Sequence, residues 1–283
     1  MASAWSLRSR GFEFARLLWG NREAGARGGS RSHRAAKARR AVARPLRDDS
    51  ATTGFRRAAQ SGMDGCCDPR GCDSMFGASY ARERARRYRR RGLGVTERNI
   101  VDFLGRRGLH GTTILEIGGG IGEIQLQLLL GGAARATNLE LVDAYDSLAL
   151  ALADQAHVSD RIERRVLDIA AKPDLVESAD IVVMHRVVCC YPDYERLLGA
   201  AADHARRLLV FSHPPRNVAS RALVAVQNAT FRRSGNTFQT FAHPPEEMLA
   251  VLERRGMRQV HSHTGLVWHV VGLQRISKPL QPA

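Results

Sequence analysis

The stretch Ile114-Leu115-Glu116-Ile117-Gly118-Gly119-Gly120-Ile121-Gly122 decides the fold. Its first four residues predict a buried strand, and its glycines predict a sharp turn in which the backbone can approach a ligand closely. The apolar segment Glu123–Leu130 then predicts a helix. A strand, a glycine-rich turn and a helix in this order are typical of ligand-binding α/β units, although glycine spacing alone is weak evidence.

The rest of the chain alternates short apolar strands with helices, which predicts a parallel sheet covered on both faces. The last part differs, because two strands follow each other closely and so predict a hairpin. The predicted strands are Thr113–Ile117, Ala136–Leu141, Ile162–Leu167, Ile181–Met184 and Leu208–Phe211, then Arg258–His263 and Val267–Leu273 in the hairpin. The other predicted helices are Ser147–Gln155, Tyr194–Ala202 and Pro245–Arg255.

Positive charge is concentrated ahead of the glycine-rich turn. The chain has a formal net charge of +15, of which residues 1–62 carry +10 and residues 108–283 carry none. Residues 1–62 show neither a strand period nor a helix period, so we predict a disordered Arg-rich tail or a mis-assigned start upstream of Met63. The remainder divides into an N-terminal helical cover, 63–109, and a ligand-binding domain, 110–283.

The predicted cover contains a dense basic run from Arg82 to Arg91, which Gly92 and Gly94 interrupt. Thr96 is then predicted as the N-cap of a second helix. A solvated helix face is the simpler interpretation of the basic run. A phosphate-binding patch is the alternative.

Several sequence features predict a cytoplasmic protein. No apolar run reaches the ~18 residues that a membrane-spanning helix needs. The apolar segment Phe12–Trp19 contains Glu13 and Arg16, which argues against a secretory signal, although an Arg-rich transit peptide is compatible with the composition. The cysteines number five, an odd count, which favours reduced thiols over a disulfide framework.

Carboxylates flank the glycine-rich turn and end the next two predicted strands. Glu116 precedes the turn, and Glu123 stands where a dinucleotide fingerprint has its last glycine. Carboxylates at a helix N-terminus disfavour a diphosphate and suit a ligand with positive sulfonium and ammonium groups. Glu140 ends the second strand, where an acid can bind ribose hydroxyls, and Asp168 ends the third, where it can accept a hydrogen bond from adenine. These positions favour S-adenosylmethionine over NAD.

The chain, from about Phe76 to Arg275, resembles the class I (Rossmann-like) S-adenosylmethionine-dependent methyltransferases. The resemblance implies a three-layer sandwich with a mostly parallel seven-stranded sheet whose last strand is antiparallel. It also implies that the glycine-rich turn contacts the methionine moiety of the cofactor. The segments 66–71 and 185–194 resemble a bacterial branch of this family that is often actinobacterial. We assign the cofactor site to Glu116, Gly118, Gly119, Gly120, Gly122, Glu140, Leu141, Asp168, Ile169 and His185.

The methyl acceptor is expected at the ends of the fourth and fifth strands. Methyl transfer needs alignment more than acid–base groups, but a hydroxyl or protonated amine acceptor benefits from a base. His185 is the first candidate for this base and His213 the second, although a histidine at a strand end often only hydrogen-bonds a neighbouring loop. Arg186 either binds an acidic substrate group or pairs with Asp193 or Glu195.

Three other features bear on the acceptor. The segment Asn217–Phe241 is predicted to form part of its pocket through Phe231, Phe238 and Phe241. Ser212-His213-Pro214-Pro215 resembles a motif of nucleobase amino methyltransferases but departs from it, so we interpret it as a rigid loop. We predict no metal site, because adjacent cysteines rarely ligate one tetrahedral ion together and no C-x-x-C spacing occurs. The cysteines are Cys66, Cys67, Cys72, Cys189 and Cys190.

The sequence therefore predicts an S-adenosylmethionine-dependent methyltransferase that acts on a small-molecule acceptor. A nucleic-acid methyltransferase that uses the basic run is the alternative within the same chemistry. An NAD-dependent oxidoreductase and a non-catalytic binding protein are the alternatives from other classes, because fold does not determine function. No membrane partner is expected, and the oligomeric state stays open.

Overall fold

The computed structural model describes residues 71–72 and 75–276. The predicted tail, 1–62, and the start of the predicted cover lie outside the described residues. The helices are α1 (Ala78–Arg91), α2 (Val95–Arg106), α3 (Glu123–Leu130), α4 (Asp146–Gln155), α5 (Tyr194–His204), α6 (Val218–Arg233) and α7 (Pro245–Arg254). The strands are β1 (Thr113–Ile117), β2 (Arg135–Glu140), β3 (Ile162–Val166), β4 (Ala179–Met184), β5 (Ala205–His213), β6 (Met257–Thr264) and β7 (His269–Arg275).

These strands form one sheet in the order β3-β2-β1-β4-β5-β7-β6. Strands β1 to β5 run parallel to one another, and β7 is antiparallel to both β5 and β6. The predicted seven-stranded sheet with its antiparallel last strand is therefore confirmed. The chain first adds β2 and β3 on one side of β1 and then crosses to β4 on the other. This reversal creates a crevice at the carboxyl ends of β1 and β4, where open α/β sheets bind ligands.

Alternation along the strands packs helices onto both faces of the sheet. Ile114 of β1 belongs to the same buried cluster as Leu128 of α3. The next residue, Leu115, belongs to the opposite cluster together with Leu198 of α5. The predicted three-layer arrangement is thus confirmed. No helix in the described part of the chain is long and apolar enough to cross a membrane.

Helices α1 and α2 lie against the sheet domain. Helix α1 contacts α4, and α2 contacts α3 and β7. The Phe103 ring of α2 stacks on His261 of β6 with centroids 4.5 Å apart, and Asn99 Oδ1 accepts a hydrogen bond from His261 Nε2 at 2.9 Å. The division into cover and ligand-binding domain stays a prediction.

Three sequence predictions of local structure need correction. Thr96 is not an N-cap, because α2 begins at Val95 after Gly94, and the Thr96 side chain is buried within the first turn. Strand β5 is longer than predicted, because β4 and β7 pair with it on both sides. The segment Asn217–Phe241, for which the sequence pattern indicated no secondary structure, contains helix α6, whose start is fixed by a capping box between Asn217 and Ser220.

Candidate active site

The glycine-rich turn is packed so tightly that two of its glycines leave no room for a side chain. Gly118 has a left-handed φ of +65°, and a Cβ there would lie 2.5 Å from Val187 Cγ2. A Cβ on Gly119 would lie 2.1 Å from Asn138 Nδ2 and 2.7 Å from Glu116 Cδ. Glu116 and Asn138 are paired neighbours on β1 and β2, and both are buried. The turn therefore rests directly on their side chains.

The carboxyl groups at the ends of β1 and β2 are buried. Glu116 Oε2 accepts a hydrogen bond from the Gln125 backbone at 3.3 Å, and burial raises the pKa of Glu116 well above its usual range. Glu140 accepts a hydrogen bond from the Gly120 backbone N–H. Burial raises the pKa of Glu140 to about 7, against the opposing effect of this hydrogen bond. The β2 carboxylate therefore touches the glycine-rich turn itself.

The Asp168 carboxylate lies two residues beyond the end of β3 and is fixed by two hydrogen bonds. Its Oδ1 accepts from the Ala170 backbone at 2.9 Å, and its Oδ2 accepts from the Tyr191 hydroxyl at 2.9 Å. Tyr191 belongs to the loop after β4, so this contact joins the third and fourth strand ends.

A single cavity brings the predicted cofactor residues together. Gly122 and His213 are the predicted site residues that do not line it. Tyr80 and Arg84 of α1 also reach this cavity, as does Tyr145 before α4. The predicted site residues that line it are Glu116, Gly118, Gly119, Gly120, Glu140, Leu141, Asp168, Ile169 and His185.

His185 follows β4, and its two ring nitrogens face Ser212 and Glu97. Ser212 Oγ accepts from the Arg186 backbone N–H at 3.0 Å and lies 2.8 Å from His185 Nδ1. The other ring nitrogen, Nε2, lies 3.3 Å from Glu97 Oε1. Burial lowers the pKa of His185, which favours the neutral ring. In a neutral ring whose Nε2–H faces the Glu97 carboxylate, Nδ1 accepts from the Ser212 hydroxyl, which leaves no lone pair for a substrate proton.

Glu97 of α2 is the centre of a buried charged cluster that the sequence did not reveal. Its Oε1 lies 3.3 Å from Arg84 Nη2 and 3.4 Å from Arg186 Nη2, and its side chain is only 2% exposed. Burial would raise the pKa of Glu97, but the neighbouring His185 and the guanidinium groups of Arg84 and Arg186 lower it well below its usual range. We call Arg84, Glu97, His185 and Arg186 the Glu97 cluster.

Arg186 pairs with Glu97 of this cluster, whereas the sequence suggested Asp193 or Glu195 as partners. It adopts a left-handed φ of +62°, which is uncommon outside glycine. Its guanidinium lies over the Trp268 ring, 5.3 Å from the centroid. Arg186 lines the cavity, and its contacts with Glu97 and Trp268 hold the side chain in place.

The second histidine candidate and the three phenylalanines lie outside the cavity. His213 Nδ1 donates to the Pro214 carbonyl at 2.9 Å, and its ring packs beside His269. This geometry gives no support to His213 as a catalytic base. Phe238 packs edge-on against Phe76, a residue of the cavity wall, and Phe231 packs behind Phe238. Phe241 stacks on His243 instead.

The cysteines lie close to the cavity without forming a metal centre in the described ranges. Cys72 and Cys190 line the cavity wall. The Cys189 and Cys190 sulfur atoms are 3.5 Å apart, which is too far for a disulfide bond. Residues 71–72 and 75–276 contain no group of three or more metal-ligating side chains in a suitable arrangement. Cys66 and Cys67 lie outside the described residues.

Solved structures share this fold at low sequence identity. Magnesium protoporphyrin IX methyltransferase (ChlM) from Synechocystis PCC 6803, with bound SAM, has a TM-score of 0.55 and 16% identity, over 77% of this chain and 100% of that chain. An O-methyltransferase family protein from Burkholderia thailandensis has a TM-score of 0.53 and 18% identity, over 64% of this chain and 57% of that chain.

An O-methyltransferase family 2 protein from Planctomyces limnophilus DSM 3776, in complex with apigenin, has a TM-score of 0.52 and 19% identity, over 70% of this chain and 62% of that chain. No protein-family model matches the chain, and no curated protein matches it in sequence. The structural similarity confirms the predicted Rossmann-like fold.

Proposed function

We propose that this protein is an S-adenosylmethionine-dependent methyltransferase that acts on a small-molecule acceptor. The observation that carries the proposal is the convergence of Glu116, Glu140 and Asp168, from three adjacent strands, on one cavity beside the glycine-rich turn. Acids beside a helix N-terminus disfavour a diphosphate there, and Glu140 and Asp168 lie where they can hydrogen-bond the ribose and adenine of an adenosyl ligand. The similar fold of the Synechocystis enzyme, which was solved with SAM, supports the same choice.

The residues present fit this cofactor. Because Gly118 and Gly119 have no side chains, their backbone atoms line the cavity directly. Glu140 lines the cavity, where its carboxylate can accept hydrogen bonds from ribose hydroxyls, and Asp168 can accept from the adenine amino group. When bound, the cofactor supplies a methyl group activated by a positively charged sulfur. The chain itself supplies alignment and exclusion of water.

Calorimetry with S-adenosylmethionine, S-adenosylhomocysteine and NAD tests the cofactor. We expect the two sulfur ligands to bind and NAD not to bind; the reverse would favour an oxidoreductase. Mass spectrometry of cell extract incubated with the protein and methyl-labelled cofactor then identifies the acceptor. Cofactor binding without any labelled product would favour a non-catalytic binding protein. The actinobacterial-like branch and the cytoplasmic location stay predictions.

We also propose that His185 acts as a positioning residue, because Ser212 and Glu97 occupy both of its ring nitrogens. Once an acceptor is known, His185→Gln tests this role, since a glutamine amide can still donate to Glu97. The variant is expected to lower kcat about tenfold or less and to leave the shape of the pH profile unchanged. A loss of about a hundredfold or more, together with loss of the acidic limb of the pH profile, would show that His185 is a general base.

A second candidate function is methylation of a nucleic acid. Arg82, Arg86, Arg89, Arg90 and Arg91 form a basic stripe on α1, where they are exposed and make no ion pair with any described residue. If these five side chains contacted RNA phosphates, log Kobs would fall with log[salt] at a slope of about −3.5 from this stripe alone. Replacing Arg82, Arg86 and Arg89 with Gln in the full chain would then reduce the slope by about 2. An unchanged slope would exclude the stripe as an RNA contact.

A further inference from the structure

Arg84 occupies an unusual place for a residue of a basic helix. The arginines of the basic stripe on α1 are exposed to solvent, whereas Arg84 of the same helix lines the cavity. The Arg84 side chain is only 16% exposed. It forms an ion pair with Glu123, the first residue of α3, and lies 3.3 Å from Glu97 Oε1. The ion pair with Glu123 therefore joins the inner face of α1 to the end of the glycine-rich turn.

The two partners place opposite charges side by side on the cavity wall. Glu123 directly follows Gly122 and also lines the cavity. Burial of an ion pair costs solvation free energy that the attraction within the pair does not always offset. A guanidinium beside a carboxylate is, however, complementary to an α-amino acid zwitterion, in which one carboxylate and one ammonium are attached to the same carbon. Arg84 has five N–H donors, so it can keep Glu97 while it binds a second carboxylate.

We propose that Arg84 and Glu123 bind the aminoacyl tail of the cofactor, with Arg84 holding the α-carboxylate and Glu123 the α-ammonium. This inference rests on the proposed function. When the tail binds, the ion pair between Arg84 and Glu123 is replaced by two ion pairs, one from Arg84 to the α-carboxylate and one from Glu123 to the α-ammonium. The net charge of the tail and these two residues stays zero. Glu97 holds the Arg84 guanidinium in place while Glu123 exchanges partners. Helix α1 thereby takes part in cofactor recognition through a side chain that the sequence pattern assigned to a solvated face.

Comparison of two ligands separates this role from a purely structural one. S-Adenosylhomocysteine carries the aminoacyl tail, and 5′-methylthioadenosine has the same nucleoside and sulfur without it. Calorimetry on the full chain is expected to show that Arg84→Met lowers the affinity for S-adenosylhomocysteine by about ten- to a hundredfold. Loss of one charge-assisted hydrogen bond has an effect of this size. The affinity for 5′-methylthioadenosine is expected to change less than about threefold. The matched control is Arg86→Met, on the exposed face of the same helix, which should change neither affinity.

Equal losses for both ligands in Arg84→Met would overturn the inference, because they would mean that Arg84 only holds the helix in place. Wild-type protein offers a test that needs no variant: decarboxylated S-adenosylmethionine is expected to bind at least about tenfold more weakly than S-adenosylmethionine. Equal affinities for these two would also overturn it. If wild-type protein bound none of the adenosyl ligands, the proposed function itself would fail, which is a distinguishable result.

Discussion

Among single residues, Gly119 has the least freedom to change. A Cβ at this position would overlap Asn138 Nδ2 at 2.1 Å, so Gly119→Ala must push the turn away from β2. We expect the free energy of unfolding to fall by about 1–3 kcal/mol, measured by urea denaturation, with a parallel loss of S-adenosylhomocysteine affinity. Gly105→Ala in α2 is the control, because a Cβ there meets nothing within 4 Å. Adding Asn138→Ala should restore only part of the affinity, because Glu116 Cδ would still lie 2.7 Å from the new Cβ. An equal loss in Gly105→Ala would contradict the steric explanation.

Glu140 makes cofactor affinity depend on pH. Burial raises its pKa to about 7, and ribose hydroxyls donate more strongly to the ionised carboxylate than to the acid. Affinity for S-adenosylhomocysteine is therefore expected to fall as pH drops below about 7, by up to about tenfold per pH unit. Calorimetry from pH 5.5 to 8.5 checks this. The Glu140→Gln variant should bind S-adenosylhomocysteine more weakly at pH 8.5, and its affinity should no longer depend on pH. An equally steep pH dependence in the variant would mean that another group causes it.

The raised pKa of Glu140 also affects folding. The ordinary pKa of 4.5 applies in the unfolded chain, and the folded value is about 7. Between these values the folded state binds more protons, so the free energy of unfolding falls as pH rises, by about 3 kcal/mol in total. Glu140→Gln lacks this contribution, so its stability relative to wild type should increase by that amount from pH 4.5 to 7.5. Parallel urea-denaturation curves for the two proteins across this window would refute the assignment.

Among the structural elements, α2 is fixed to the end of β4 through Glu97. Glu97→Gln would leave the guanidinium groups of Arg84 and Arg186 buried with one negative charge fewer. Removal of one partner from a buried ion pair costs about 3–5 kcal/mol, and we expect a loss in this range at neutral pH. Because the pKa of Glu97 is lowered, this contribution is present above its unfolded pKa and is lost in acid. Glu163→Gln is the control, since Glu163 is 62% exposed and makes only a distant surface pair. Urea denaturation of both variants checks the difference, and equal effects would show that the cluster does not stabilise the fold.

The elements were more predictable from sequence than the contacts between them. Strand β1 and helix α3 have the bounds that the apolar run and the glycines indicated, because both signals are local. Glu116, Glu140 and Asp168 reach one cavity because parallel strand ends share one edge of the sheet. Arg84 and Glu97 were missed, since a basic run and an acid in a first helical turn look like solvated positions. Their burial depends on how α1 and α2 pack onto the sheet domain, which no local pattern encodes.

At the scale of the whole molecule, the net positive charge is concentrated in the N-terminal part of the sequence. Residues 1–62 carry a net charge of +10 and show neither a strand period nor a helix period. We therefore expect a chain that begins at Met63 to keep the free energy of unfolding within about 0.5 kcal/mol of the full chain and its S-adenosylhomocysteine affinity within about twofold. Urea denaturation and calorimetry measure the two quantities.

A deeper deletion provides the contrast for this prediction. A chain that begins at Gly92 lacks Tyr80 and Arg84, which line the cavity, and leaves Glu97 and Glu123 without the guanidinium between them. Its S-adenosylhomocysteine affinity is expected to fall by at least about a hundredfold, because a wall of the site and a charged partner disappear together. If the chain from Met63 lost as much affinity as the chain from Gly92, residues 1–62 would belong to the working protein. If the chain from Gly92 bound normally, α1 would be dispensable, and the site would consist of the sheet domain alone.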